Sequence, residues 1–422
     1  MKFLSKVVVQ LSSRLGVLVC GLLLTKWIIY NLTPQEYYNY SQITDLLTAF
    51  ILVIISLSVP SLALRFYSQQ EFRDDPVRVA KFWTTMLYLR IFSYFVGLAM
   101  LIIGLKIIDQ PNWQLAIVLY TAQFVLIVDS IYKSITDATA RSYTYGITDL
   151  IGKVAIVVVL FSVNYLNWIS SDFRIYFFGL VLLGGYLLSL LLDIIWNKSY
   201  TKLGKADFSL IKDNSKSIFY FTATGFLSFV YISSFTYFLK LYNIDVLSYN
   251  SYITAFFKIF STTATFGLIL MPSIAVHFTE AYKTKNWPSL KKSLIKYSLV
   301  TISLYILYAI ASPVIYWLID PTNKYPMTLQ YAFWLLPLIG VYLTNSFINN
   351  ITTLLHQEKW DFWVTTILFV INLIAQIILV PMFGVMGTVT AFYIVLLSDL
   401  GLKLVLLIYT LNNRQTQKNV QI

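Results

Sequence analysis

Apolar residues in this chain cluster in unbroken runs of about 19 to 28, too long for strands and too continuous for the one-sided stripe of a soluble helix. Twelve such runs, bounded by charges or turn residues, are predicted as helices. The first six are Val7 to Tyr30, Ile43 to Leu64, Phe82 to Ile107, Trp113 to Ile135, Ile147 to Tyr165 and Ile175 to Trp196. The others are Ile218 to Leu239, Tyr249 to Val276, Tyr297 to Ile319, Leu329 to Leu355, Phe362 to Val380 and Val385 to Leu411. A helix needs about 20 residues to cross the hydrocarbon core, so each run predicts a span and the fold class is an all-α polytopic membrane protein.

Composition agrees. Of 422 residues, 58% are hydrophobic and 12% are charged, against about 25% charged in a soluble domain, which excludes a water-soluble enzyme or a disordered scaffold. Twelve spans leave on the order of 14 residues per connection, too few for a soluble domain. The single cysteine, Cys20, lies in the first run and reads as a small buried hydrophobe. The basic start followed by an apolar run imitates a signal peptide, but Arg14 interrupts it and the run is read as a retained first span.

The net charge of +12 is largely a topology signal. Twenty of the 31 cations fall on one side: Arg65, Arg73, Arg78, Lys81, Arg141, Lys198, Lys202, Lys205, Lys212, Lys216, Lys283, Lys285, Lys291, Lys292, Lys296 and Lys359, with Lys2, Lys6, Arg414 and Lys418 on the tails. Lys106, Arg174, Lys240 and Lys324 face the other side. Cations are retained in the cytoplasm during insertion, so both termini are expected there. Nucleic acid is not an expected partner, because the charge is divided among short loops. The connection 197–217 divides the spans six and six. It predicts a six-helix lobe over 1–200, a cytoplasmic linker over 201–216, a second lobe over 217–411 and a tail over 412–422.

An internal repeat supports that division. Val59-Pro60-Ser61-Leu62-Ala63-Leu64-Arg65-Phe66 faces Met271-Pro272-Ser273-Ile274-Ala275-Val276-His277-Phe278, from 59 to 271 an offset of 212. Upstream, Tyr38-Asn39-Tyr40-Ser41 faces Tyr249-Asn250-Ser251-Tyr252, from 38 to 249 an offset of 211. Copies separated by six spans run in the same direction across the membrane, which makes the repeat parallel. Pro60 and Pro272 each remove a backbone hydrogen bond near a helix end and are candidate hinges.

Leu32-Thr33-Pro34-Gln35-Glu36-Tyr37-Tyr38-Asn39-Tyr40-Ser41, the Pro60-Ser61 exit, and Asn372-Leu373 with Val380-Pro381-Met382-Phe383-Gly384-Val385-Met386-Gly387 resemble polysaccharide exporters of the Wzx type. These are lipid-linked oligosaccharide flippases of the multidrug/oligosaccharidyl-lipid/polysaccharide (MOP) superfamily. The resemblance implies two six-helix lobes in a MATE-like V around a central cavity, alternating access, and undecaprenyl-pyrophosphate-linked sugars as substrate. Polysaccharide polymerase and glycosyltransferases of the same pathway are implied partners, beside the membrane lipids. Ser13-Arg14-Leu15-Gly16 is similar to the first helix of lipid II flippases, which keeps that variant open.

Charges inside the spans carry the site prediction, since each costs about 2.5 to 3.5 kcal/mol at a helix centre. Asp129 with Lys133, Asp149 with Lys153 and Asp399 with Lys403 are spaced four apart and predict ion pairs along one helix face. They are read either as structural or as acids that take up H+ or Na+ during a cycle. Arg14, Arg90 and Lys258 have no acid three or four positions away, and an anionic substrate would supply the missing partner. They are the predicted lining for a pyrophosphate. The 71 aromatics, the sum of 31 Tyr, 30 Phe and 10 Trp, are assigned mainly to interfacial belts and packing.

His277 and His356 lack the clustering of a zinc site, and no Gly-Lys-Ser/Thr phosphate loop is present, so neither metal nor cofactor is expected. The competing class is a membrane-embedded polymerase or glycosyltransferase, for which the predicted external loops offer only the scattered acids Glu36, Asp109, Asp172, Asp245 and Asp320. A MATE-like exporter of cationic compounds would call for unpaired acids in the spans, where the spacing shows unpaired cations.

Overall fold

The computed structural model describes residues 3–419 apart from 56–58, 69, 108–111, 140, 167, 169–172, 262, 265–270, 272–273, 276, 279–280, 283 and 355–357. Among the described residues every regular element is a helix, and the chain divides into two compact units, Met1–Phe226 and Leu227–Ile422. The first unit begins with α1 (Phe3–Asn31), a short α2 (Pro34–Ser41), a π-turn (Gln42–Thr48), α3 (Ala49–Ile55), α4 (Val59–Ser68) and α5 (Gln70–Arg73). It continues with α6 (Pro76–Ile107), α7 (Trp113–Ala138), α8 (Ser142–Tyr165), α9 (Arg174–Trp196) and the short α10 (Ser209–Asp213). Helix α11 (Ser215–Leu241) crosses the division. After it come α12 (Val246–Ile253), a second π-turn (Thr254–Phe260), α13 (Trp287–Ile319), α14 (Thr328–Leu335), α15 (Leu338–Leu354), α16 (Glu358–Phe383) and α17 (Val385–Asn419).

Among the described residues, eight helices are long and apolar enough alone to cross a membrane, and α14 with α15, bent by 50° at a short break, would make a ninth. The seventh predicted run is helical throughout, within α11, and the second and eighth are helical where described, but none of the three is among those nine. In the second and eighth, a π-turn interrupts the regular hydrogen-bond ladder. Helices α6 and α13 start earlier than hydropathy predicts, because their first turns are polar but capped. Asp75 Oδ1 accepts the Val77 and Arg78 amides at 3.0 and 3.1 Å, Asn286 Oδ1 accepts that of Ser289 at 3.1 Å, and Pro76 and Pro288 open the helices.

Element boundaries repeat. Helix α2 and its π-turn start at 34 and 42, α12 and its π-turn at 246 and 254, an offset of 212 in both cases. The caps repeat with them: Thr33 Oγ1 accepts the Glu36 amide at 3.2 Å, and Asp245 Oδ1 accepts that of Ser248 at 2.8 Å. The structure therefore corrects the upstream alignment by one residue, pairing Tyr37 with Tyr249 and Tyr40 with Tyr252. All four are buried, so one helix face is retained in both copies.

Within the first unit α1 packs on α8, and α7 and α8 both pack on α9. Lipid is as apolar as leucine, so such contacts depend on close fit and polar bonds. At the α8–α9 crossing a Cβ on Gly152 would lie 2.6 Å from the Gly185 carbonyl oxygen, and one on Gly185 would lie 2.9 Å from that of Gly152. Outward positions such as Phe92, Phe95 and Ile103 on α6 are exposed and apolar, suited to acyl chains. The connection after α9 folds back on the first unit: Thr84 and Thr85 hydroxyls accept the Gly204 and Asp207 amides at 2.8 Å each, and the Tyr67 hydroxyl donates to Tyr200 O at 2.7 Å.

Candidate functional site

The charges of the first unit converge where α1, α7, α8 and α9 meet. Arg14 on α1 lies 3.6 Å from Asp149 on α8, and its guanidinium stacks over Tyr145 at 5.3 Å from the ring centroid. Asp149 thus serves Arg14, not Lys153. Lys153 donates instead to the Tyr186 hydroxyl on α9 at 3.1 Å, with its ammonium 4.4 Å from that ring's centroid. The expected Asp149–Lys153 pair is replaced by two contacts between helices. The reason is magnitude: a pair along one exposed helix is worth about 0.2 to 0.5 kcal/mol. Unit charges 4 Å apart attract by about 4 kcal/mol at an effective dielectric of about 20.

Asp129 departs from expectation in the same way. Its side chain is turned into the α7–α9 contact and is 1% exposed, whereas Lys133 one turn on is exposed. Asp129 faces Asp193 of α9, and the Tyr145 hydroxyl is a further partner of Asp129. Asp193 is fully buried, and Thr148 Oγ1 lies 3.0 Å from its Oδ2. The expectation that the spans hold unpaired cations but no unpaired acids is therefore overturned by Asp129 and Asp193. Asp193 escaped the spacing rule because no Lys or Arg stands three or four positions from it. Its signal was an acid in the run Leu190-Leu191-Leu192-Asp193-Ile194-Ile195.

Of the three cations predicted to await an anion, Arg14 has the counter-charge just described, supplied across the helix pair. Arg90 on α6 is 2% exposed, donates from Nη1 to Ile55 O at 3.4 Å, and has no acceptor for Nε or Nη2 among the described residues. Lys258 is half-buried inside the second π-turn, with no ion pair or hydrogen bond to a described residue. Arg14 and Arg90 belong to the first unit and Lys258 to the second.

In the second unit the Asp399–Lys403 pair forms as predicted. Lys403 Nζ is 2.7 and 2.8 Å from the two carboxylate oxygens, and both side chains are buried. Pro60 is helical and half-buried in α4, and Pro272 lies outside the described residues. Pro313 in α13 and Pro381 in α16 stand inside helices, positions that the repeat did not single out. No three His, Cys, Asp or Glu side chains cluster to hold a metal among the described residues. His277 is exposed and His356 lies outside them.

No protein-family model and no curated protein matches the sequence. Solved structures do match along nearly all of the chain. An inward-facing multidrug resistance MATE family transporter of the MOP superfamily superposes with a TM-score of 0.67 at 12% identity, over 98% of this chain and 99% of its own. The lipid II flippase MurJ in an inward closed conformation does so with a TM-score of 0.67 at 16% identity, over 97% and 89%. The fold is that of MOP superfamily transporters. A MOP superfamily transporter from Pyrococcus furiosus gives a TM-score of 0.67 at 11% identity, over 97% and 96%. On this MOP framework the charged network occupies four helices of the first unit, and Lys258 stands in the π-turn of the second.

Proposed function

We propose that this chain is a transporter and not an enzyme, and that it moves undecaprenyl-pyrophosphate-linked oligosaccharides from the inner to the outer leaflet of the bacterial cytoplasmic membrane. The cycle is alternating access without a cofactor, both termini are cytoplasmic, and the cargo passes from glycosyltransferases to a polymerase. Lys258 carries this reading. A lysine in an apolar run, set in a π-turn and without a counter-charge among the described residues, is costly in a membrane unless an anion visits it, and π-turns concentrate at functional sites. A pyrophosphate supplies that anion. Arg14 offers the first unit's contact by exchanging Asp149 for phosphate oxygens, while Arg90 joins only in a state that exposes it.

Replacing each of the three by Gln in a strain that depends on this gene tests the proposal. Polymer export is expected to fall in all three variants at normal protein levels, most in K258Q, and full export by all three overturns the assignment. Depletion with sealed-cell labelling should leave complete sugar units on the inner leaflet. Flipped but unpolymerised units would indicate a polymerase. The buried acids Asp129 and Asp193 favour a second reading, export of a cationic compound, which predicts uptake of such a compound by proteoliposomes that leave lipid-linked sugar untouched.

A further inference from the structure

Lysines crowd one stretch of the second unit, away from the site already described. Lys283, Lys285, Lys291, Lys292 and Lys296 follow one another there, and no Asp or Glu occurs from 281 to 319. Lys292 and Lys296, on the first turns of α13, line a cavity of about 360 Å³ together with His277, Thr284, Ser289 and Ser293. Neither lysine has an ion pair or hydrogen bond with a described residue. The polar groups beside them are already engaged. The Ser293 hydroxyl donates to Ser289 O at 3.1 Å, that of Thr284 donates to Ala281 O at 3.3 Å, and Asn286 Oδ1 accepts the Ser289 amide at 3.1 Å. The helix terminus is thus capped by its own chain, and what the cavity holds in reserve is the pair of ammonium groups.

Retention of cations on one side of the membrane accounts for the number of these lysines but not for their placement. Positions 292 and 296 are four apart and share one helix face, where like charges destabilise a helix. An anion held between them turns that repulsion into attraction. Three positions on from Lys292 begins a stripe of exposed apolar side chains, Ile295, Leu299, Ile302 and Ile306. Their spacing of four, three and four keeps them on one flank of α13 beside both lysines. At 1.5 Å per residue the stripe descends about 16 Å, close to the hydrocarbon depth of one leaflet. Lys296 stands one residue before the span predicted from Tyr297, at the level where phosphates lie. A free anion would use the lysines alone, whereas a lipid uses the lysines and the stripe together.

We infer that Lys292 and Lys296 bind the phosphate of an anionic glycerophospholipid whose acyl chains lie along Ile295, Leu299, Ile302 and Ile306. The lipid belongs to the leaflet at the start of α13, the cytoplasmic one under the topology read from the loops. A zwitterionic lipid carries its own cation beside the phosphate and gains less from the two ammonium groups. The inference needs the chain to be a membrane protein and is independent of its cargo.

Native mass spectrometry of the purified full-length chain, titrated with phosphatidylglycerol or phosphatidylcholine, tests it. The first phosphatidylglycerol is expected to bind about tenfold more tightly than the first phosphatidylcholine. K292Q/K296Q is expected to erase that preference and K292R/K296R to keep it. K202Q/K205Q, which removes the same charge at exposed lysines of the first unit, should leave it unchanged. Equal losses in K292Q/K296Q and K202Q/K205Q would mean attraction by overall charge and overturn the site, as would the absence of any preference in the unmodified chain. Competition at constant ionic strength distinguishes the sources of the anion. Inorganic phosphate is expected to leave the lipid bound; phosphate that binds through the same lysines as tightly as phosphatidylglycerol would make this a soluble-anion site and overturn the lipid assignment.

Discussion

Both units carry a capped short helix that leads into a π-turn, and they treat buried polarity differently. In the first, charges from α1, α7, α8 and α9 find one another across helices. In the second, the buried ion pair lies within one helix, Asp399 to Lys403, Asp320 accepts from the Thr322 hydroxyl and the Lys324 and Tyr325 amides of its own loop, and the other buried polar groups among the described residues are neutral. Asn372 donates to Ser234 at 2.5 Å, while Gln376 and Thr388 are fully buried with side-chain atoms that lack partners among the described residues. An unsatisfied amide or hydroxyl costs about 1 to 3 kcal/mol, whereas an unpaired buried charge costs several. Neutral groups are thus tolerated where they fall, but charges dictate which helices must stay together. In the first unit the charges tie separate helices together, whereas in the second the described buried charges are met within one helix or one loop.

The sharpest way to break the comparison is at the second unit's own charge pair. K403M should destabilise the protein by about 3 to 5 kcal/mol, because Asp399 is then buried without a partner, and D399L/K403M should recover most of that loss. Unfolding in detergent measures both. A double variant no better than K403M would show that the pair has long-range partners, as in the first unit. A smaller effect is expected at the first unit's close crossing: G152L should cost about 1 to 3 kcal/mol by forcing α8 from α9. If the charged network depends on that fit, the same substitution also weakens the Lys153–Tyr186 contact, readable as a change in tyrosine spectra.

The smallest effects are at the repeated caps, where T33A and D245A should each cost about 1 kcal/mol. The second should depend on pH. Burial raises the Asp245 carboxyl, but hydrogen bonds from Ser248, Leu247 and its own backbone outweigh this and hold it below the ordinary aspartate value. A lowered carboxyl contributes stability that is present above the unfolded value, about 3.9, and is lost as pH falls toward the folded one. Amide exchange at Ser248 should therefore accelerate in acid, because the cap itself loses its charge, whereas the Thr33 hydroxyl that accepts the Glu36 amide carries none. Unchanged exchange at Ser248 in acid would contradict the assignment.

Much of this was legible in the chain. Helix positions followed from run length, and the repeat from eight aligned residues, though the upstream register needed the caps and buried tyrosines to move it from 211 to 212. The site was less legible. Spacing predicted Asp399–Lys403 correctly because no other ion pair among the described residues competes for either member. It failed for Asp129 and Asp149 because each meets a group from another helix at closer range, and it passed over Asp193, which has no partner in its own run.

The amino-acid sequence alone determined that the chain is helical, membrane-spanning and duplicated, since these follow from hydropathy, length and local caps that act within one turn. Only the tertiary structure decided which acid meets which base, that Arg14 finds a counter-charge which Arg90 and Lys258 lack among the described residues, and that two carboxyls face each other. Those choices depend on contacts between segments far apart in the chain, where a few ångströms in a medium of low dielectric outweigh any preference along a single helix.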